Sequence, residues 1–214
     1  AIFKGIRHML DMEMTVEEVD AVSGPATARP KSAAFRTADL VGIDTLVHVA
    51  DNSFELLPED EEREVFRVPD FINEMVRKKL LGNKTKKGFF RKEKGENGSQ
   101  VFYYDYRSGD YVPAQKPKFP SLEAVKQVDD PAKRLKMVVG GSDKASDFAW
   151  RALRDTLIYT VNRIPEIAED IVNIDNAMRW GFNWELGPFE MLDALGVADF
   201  VARAEKDGVA VPAA

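Results

Sequence analysis

The chain has 214 residues, enough for one large domain or two small ones with a substantial core. Apolar residues at 44%, charged residues at 31% and aromatics at 10% exclude a disordered chain, a collagen-like repeat and a disulfide-stapled miniprotein. Thirty Lys plus Arg against 36 Asp plus Glu leave a net charge of −6, so no overall basic field draws in nucleic acid and any anion must be held locally.

The absence of cysteine removes disulfides, thiolate nucleophiles and Cys-ligated metal sites, and agrees with a reducing, cytoplasmic setting. His8 and His48 lie too far apart to form a ligand pair on one helix face, so we expect no metal and read each as a structural or surface imidazole. No apolar run reaches the ~18 residues of a membrane span, and the start carries no signal-peptide pattern. Ala1 to Leu10 opens inside an amphipathic pattern, Ile2, Ile6 and Met9-Leu10, which reads as a fragment of a longer polypeptide. Ile2, Phe3 and Ile6 are then expected to leave apolar surface uncovered.

Thr15-Val16-Glu17-Glu18 is a capping box that predicts a short helix carrying Val16, Val19 and Val22, closed by Gly24-Pro25. After a loop ending at Pro30, Ser32 to Val41 reads as a helix with Gly42 just past its end, and Asp44 is expected to cap the next one, which runs to Pro58. Residues 59–64 read as a solvated helix start or loop, and Ile72 to Leu80 as a further helix. From residue 83 the character changes. Gly88 to Lys92, a turn at 96–99, Gln100 to Tyr106 and a turn at Ser108-Gly109 predict a β-hairpin or three short strands. Pro113, Pro117 and Pro120 mark an extended connector. Ser121 and Asp130-Pro131 then start short helices, and Ser142 is expected to open a long one that stops or kinks at Pro165. Ile171 to Arg179, Pro188 to Leu195 and Val197 to Lys206 complete the helical reading.

A repeat runs through this pattern. Asp20 precedes Phe35-Arg36-Thr37-Ala38-Asp39-Leu40-Val41-Gly42, and Asp175 precedes Phe189-Glu190-Met191-Leu192-Asp193-Ala194-Leu195-Gly196 at nearly the same distance. The implied organisation is a first helical repeat with a β-hairpin over 1–112, a connector with short helices over 113–141 and a second helical repeat over 142–214.

Three stretches carry a family resemblance. Gly24-Pro25-Ala26 with Arg29-Pro30-Lys31-Ser32-Ala33-Ala34-Phe35-Arg36-Thr37-Ala38-Asp39-Leu40-Val41-Gly42, the Gly82-Asn83-Lys84-Thr85-Lys86-Lys87-Gly88-Phe89-Phe90 segment, and Trp180-Gly181-Phe182-Asn183-Trp184-Glu185-Leu186-Gly187-Pro188-Phe189 together resemble the C-terminal helical domain of 3-hydroxyacyl-CoA dehydrogenases. The resemblance is to the long bacterial form often fused to an enoyl-CoA hydratase. Phe90 stands where the family commonly has Tyr. The resemblance implies a mainly α fold, the duplicated helical C-terminal domain of that family with a small β-hairpin insertion, from an NAD-dependent oxidoreductase of fatty-acid β-oxidation.

No Gly-x-Gly-x-x-Gly follows a strand, so neither a dinucleotide site nor the family's N-terminal Rossmann domain is expected in these residues. The family's His–Glu dyad and substrate-orienting Asn would precede Ala1, so no catalytic residue is carried over. The resemblance implies NAD for the parent enzyme and no cofactor for this chain, 3-hydroxyacyl-CoA as a ligand shared with the missing domain, and a homodimer. No nucleic acid and no membrane are expected as partners.

Arg29, Lys31, Ser32 and Phe35 are the candidate substrate-binding residues, because a helix entry beside Pro30 with nearby cations suits a thioester oxygen or a phosphate. The blander readings are a solvated basic face for Arg29 and Lys31, a plain first-turn residue for Ser32 and a core position for Phe35. Lys84 to Lys94 read either as phosphate ligands or as guards of a strand edge. Trp180, Phe182 and Trp184 are expected at the seam between repeats. The chain alone is expected to be inactive, and the alternative reading is a non-catalytic helical module that binds acyl-CoA or mediates dimerisation.

Overall fold

The computed structural model describes residues 1–95 and 98–212. Glu96 and Asn97 of the expected 96–99 turn therefore lie outside the described residues. Helix α1 (Ile2–Asp11) packs along the long α8 (Lys144–Asn162), which buries Phe148, Ala149, Leu153 and Leu157. His8 Nε2 meets Asp155 Oδ2 at 2.6 Å across this seam, and Lys4 reaches Glu62 at 2.8 Å. The expected uncovered apolar start is not found. Ile6 is buried, and the Phe3 ring packs edge-on to Phe66 at 5.6 Å, because α8 and the turn at Arg63–Phe66 cover that face.

The capping box at Thr15 forms as read: Glu18 N donates to Thr15 Oγ1 at 3.1 Å and Thr15 N donates to Glu18 Oε2 at 2.8 Å. It opens α2 (Val16–Val22), whose three valines are fully buried. Helix α3 spans Phe35–Val41 and α4 spans Ile43–Leu56, so α3 begins three residues later than expected. The reason is tertiary. Asp20, fifteen residues before Phe35, accepts from Ala34 N, Phe35 N and Arg36 N at 3.0, 2.6 and 3.0 Å and fixes the helix start there. Asp44 is not a cap either, because it pairs with Lys84 while Gly42 occupies the cap position.

Helix α5 (Asp70–Arg77) leads to a three-stranded antiparallel meander of β1 (Phe90–Gly95), β2 (Gly98–Asp105) and β3 (Asp110–Pro113). Phe90 pairs with Tyr103 and Tyr104 with Tyr111. After the connector come α6 (Pro120–Ala124) and α7 (Pro131–Val139). Asp143 rather than Ser142 caps α8, since its carboxylate accepts from Ser146 N at 2.9 Å and also from Ser121 N at 2.8 Å, tying two helix starts together. Helices α9 (Ile171–Phe182), α10 (Pro188–Leu195) and α11 (Val197–Lys206) follow the expected boundaries closely. One continuous apolar core runs from Ile6 to Ala204 through both helical halves. The chain is mainly helical with a small antiparallel sheet, as its sequence implies.

The repeat has a physical counterpart. Asp175 of α9 accepts from Phe189 N at 2.8 Å and Glu190 N at 3.1 Å, at the start of α10, as Asp20 of α2 does at the start of α3. Gly42 and Gly196, at φ +110° and +86°, each break one helix and open the next without a loop.

Candidate functional site

The α2–α3 loop carries Arg29, Lys31 and Ser32, and Phe35 is the first residue of α3. The loop's path is set by a 3-10 turn at Pro25–Thr27, by Ala28 and Ala33 in the left-handed region (φ +57° and +51°), and by Thr27 Oγ1 donating to Val22 O at 2.9 Å. Two alanines at positive φ cost conformational energy that the surrounding bonds must hold. Arg134 supplies part of that hold: Nε donates to Pro25 O at 2.6 Å and Nη2 pairs with Glu185 at 2.7 Å, while Glu185 N donates to Ala28 O at 2.9 Å.

The four candidates do not converge. Phe35 is completely buried with its ring 4.6 Å from that of Phe89, so it belongs to the core and lines no cleft. Lys31 is exposed and lines a groove of about 670 Å³ against residues 116–129. Ser32 lines a second cleft of about 520 Å³ against the sheet and 3-10 turn beyond α5, and its Oγ accepts from Thr37 Oγ1 at 2.8 Å. The α3 N-terminus offers nothing to a ligand. Asp20 has taken its donors, and burial pushes that carboxyl up to about 7 against the pull of the same three N–H bonds and Arg36.

Arg29 is different from the other three. Its guanidinium lies over the Trp184 ring at 4.7 Å, and Nε and Nη2 are buried with no hydrogen-bond partner among the described residues. Burial pulls its pKa down to about 10. Two buried, unanswered N–H donors on a cation leave a strong demand for an oxygen acceptor. Trp184 is the one aromatic of its trio at the seam. Trp180 and Phe182 are 79% and 63% exposed, a correction that follows from α9 packing mainly on α10.

The Gly82-to-Phe90 segment has a structural explanation. Asp39, buried on α3, accepts from Phe89 N at 2.7 Å and Phe90 N at 2.8 Å. A Cβ on Gly88 would sit 2.0 Å from Asp39 Oδ1, and one on Gly82 would sit 2.4 Å from Asp39 O. Both glycines are needed so that the chain can wrap this carboxylate. Lys84 meanwhile pairs with Asp44 across to α4. The spacing therefore clamps the sheet to α3, and Asp39 titrates near 6 because burial outweighs the two N–H bonds.

A family model described as "3-hydroxyacyl-CoA dehydrogenase, C-terminal domain" matches residues 1–92. Residues 1–92 belong to that domain family. A probable 3-hydroxyacyl-CoA dehydrogenase of Bacillus subtilis is 42% identical over 97% of this chain, which covers 26% of that relative. A second protein of that name, from Deinococcus radiodurans, is 39% identical over 47% of the chain and is covered to 28% of its length. A protein of Rickettsia prowazekii, provisionally named a fatty acid oxidation complex trifunctional enzyme, is 22% identical over 81% of the chain and is covered to 23%. The chain thus spans about a quarter of the length of the curated relatives it matches.

Among the described residues the sheet is an antiparallel meander without a parallel strand–loop–helix crevice, and Gly82 and Gly88 are packed against Asp39 instead of facing a space that a pyrophosphate could enter. Sequence reasoning missed Arg134 and Glu185 because their partners are brought together from distant parts of the chain and no local pattern marks them. No helix among the described residues is long and apolar enough to cross a membrane, and no described cluster of acidic or imidazole groups is spaced to hold a metal ion.

Proposed function

We propose that this chain is the helical, substrate-facing part of an NAD-dependent 3-hydroxyacyl-CoA dehydrogenase of fatty-acid oxidation, and that it is inactive by itself. The observation that carries the reading is Arg29, held over Trp184 with two buried N–H donors unanswered, in a loop whose sequence belongs to that family. Such a cation takes an oxygen of the acyl-CoA once the rest of the enzyme closes on this loop. NAD and the base that removes the hydroxyl proton then belong to the remainder of the longer polypeptide. NAD bound there would supply the hydride acceptor for oxidation of the 3-hydroxyl to a ketone.

Arg29 acts by orienting, so its loss raises the barrier without removing the chemistry. The test follows NADH absorbance with 3-hydroxyacyl-CoA and NAD. The 214-residue chain gives no turnover. In the longer polypeptide Arg29→Gln lowers kcat/KM by roughly ten- to a hundredfold, about 1.4–2.7 kcal/mol of transition-state stabilisation. Turnover by the short chain, or an unchanged kcat/KM in the variant, overturns the reading.

A role in subunit contact is favoured by a separate observation: Ile171, Val172, Trp180 and Phe182 on α9 are all exposed. Sedimentation across a concentration series checks for the dimer, and Trp180→Ser with Val172→Ser should shift it to monomer.

A further inference from the structure

Two arginines meet at the α2–α3 loop and stand in opposite states. Arg29 leaves Nε and Nη2 without a partner among the described residues. Arg134, on α7, has committed its whole guanidinium. Its Nε donates to Pro25 O at 2.6 Å, its Nη1 to Val128 O at 3.0 Å and Asp129 O at 3.2 Å, and its Nη2 to the two Glu185 oxygens at 2.7 and 2.8 Å. A guanidinium has five N–H donors, so none remains to meet a ligand. With its side chain 11% exposed, Arg134 is also shielded from solvent that could compete for those bonds.

Glu185 is attached to the same loop twice, through its carboxylate on Arg134 and through its own N–H, which donates to Ala28 O at 2.9 Å. Its neighbour Trp184 is the platform on which Arg29 lies, 4.7 Å from the ring centre. Two consecutive residues of the α9–α10 connection therefore grip two consecutive residues of the α2–α3 connection. These connections are counterparts, since each joins a helix bearing an aspartate to the helix that this aspartate caps. Ala28 sits at φ +57°, a conformation that alanine avoids unless it is held. Without the bonds from Arg134 and Glu185 the loop relaxes to negative φ at Ala28, and the next residue, Arg29, leaves Trp184.

We infer that Arg134 and Glu185 are positioning residues for Arg29, so that the second helical half sets the orientation in which the guanidinium of the first half meets the substrate oxygen. The inference rests on the role given to Arg29 above. Neither residue touches substrate; both act through the backbone of residues 25–28 and the Trp184 platform. Lysine cannot stand in for Arg134, because three donors on one nitrogen do not reach Pro25 O, Val128 O and Glu185 together.

A double-mutant cycle in the longer polypeptide tests it, read as kcat/KM for NADH formation from 3-hydroxyacyl-CoA, with circular dichroism verifying that each variant folds. Arg134→Met should lower kcat/KM by about tenfold. In an Arg29→Gln background the same substitution should cost less than about twofold, because the group it positions is already gone. Arg134→Lys should recover little of the loss. Glu185→Gln keeps the shape and the N–H bond to Ala28 and should cost about threefold, again only while Arg29 is present; it carries the cycle if Arg134→Met does not fold. Arg154 is the control for a purely structural arginine: it is as buried, at 12%, but bonds Asp155 and Asp207 instead. Arg154→Met should lower the melting temperature and leave kcat/KM of the folded enzyme unchanged. Losses from Arg134→Met and Arg29→Gln that multiply, full recovery by Arg134→Lys, or an equal loss in Arg154→Met each overturns the inference. If Arg29→Gln lowers kcat/KM and neither Arg134→Met nor Glu185→Gln does, only this inference falls. If Arg29→Gln itself changes nothing, the role of Arg29 falls and this inference with it.

Discussion

The two helical halves solve one local problem in the same way and diverge in what surrounds it. In the first, the Asp20 carboxylate in α2 starts α3; in the second, Asp175 in α9 starts α10. Gly42 and Gly196 then turn each short helix directly into the next. Beyond that the halves part. Asp39 is buried and clamps the sheet through Phe89 and Phe90, whereas the matching Asp193 is exposed on α10. Val16 of α2 is fully buried beneath α8 and the sheet, whereas Ile171, the first residue of α9, is 47% exposed. Capping geometry is dictated by bonds within one unit and recurs in both halves. Burial depends on what happens to lie next door.

The largest effects should come from the close approaches on which each half depends. Gly88→Ala drives a methyl to 2.0 Å from Asp39, and Gly187→Ala drives one to 2.4 Å from the Asp175 backbone, so each should cost at least about 3 kcal/mol in denaturant unfolding. Gly181→Ala in α9 meets nothing within 4 Å and should stabilise by up to about 0.5 kcal/mol. Equal effects at the three sites would show that the clamps are not what holds the units.

The caps come next. Asp20→Ala strands three N–H groups and should cost about 2–3 kcal/mol, against about 1–2 for Asp175→Ala, which strands two. Thermal melts monitored by circular dichroism rank them, and an Asp175 effect above that of Asp20 would break the correspondence. Smaller again is the contrast on the α2 and α9 faces: Val16→Ala should cost about 2 kcal/mol and Ile171→Ala under about 0.5.

A separate signal is in pH. The folded-state pKa values of Asp20 and Asp39, about 7 and about 6, lie above the ordinary value of 3.8, so the folded chain keeps protons that the unfolded chain has released. Their contribution to stability is complete below about pH 4 and is lost as pH rises through 6 and 7. Asp20→Asn and Asp39→Asn should each flatten the fall in stability between about pH 4 and 7, and an unchanged slope would show that these groups are ionised throughout.

Much of the candidate site was legible in part only. The loop beside Pro30 reads as a segment bearing cations, and Arg29 and Lys31 both present cations there, but the sequence could not separate a stacked, unanswered guanidinium from a groove-lining amine. Phe35 read as core ahead of substrate contact, and in the fold its buried ring packs on Phe89. Ser142, Asp44 and the early start of α3 were misplaced for one reason: in each case a carboxylate elsewhere in the fold, or a second partner for the same carboxylate, determined the cap.

By itself the sequence determined the elements whose bonds close within a few residues: the Thr15 capping box, the α10–α11 break at Gly196, the turn-punctuated β segment and the amphipathic faces. It also carried the family, because those motifs are local strings. Only the tertiary structure decided what the motifs do. Gly82 and Gly88 had to meet Asp39 before their spacing became a clamp, and Trp184 had to meet Arg29 before the guanidinium was seen to lack an acceptor. The physical reason is range: hydrogen bonds within a turn are fixed by neighbouring residues, whereas burial and unmet polar demand depend on segments brought together by the core.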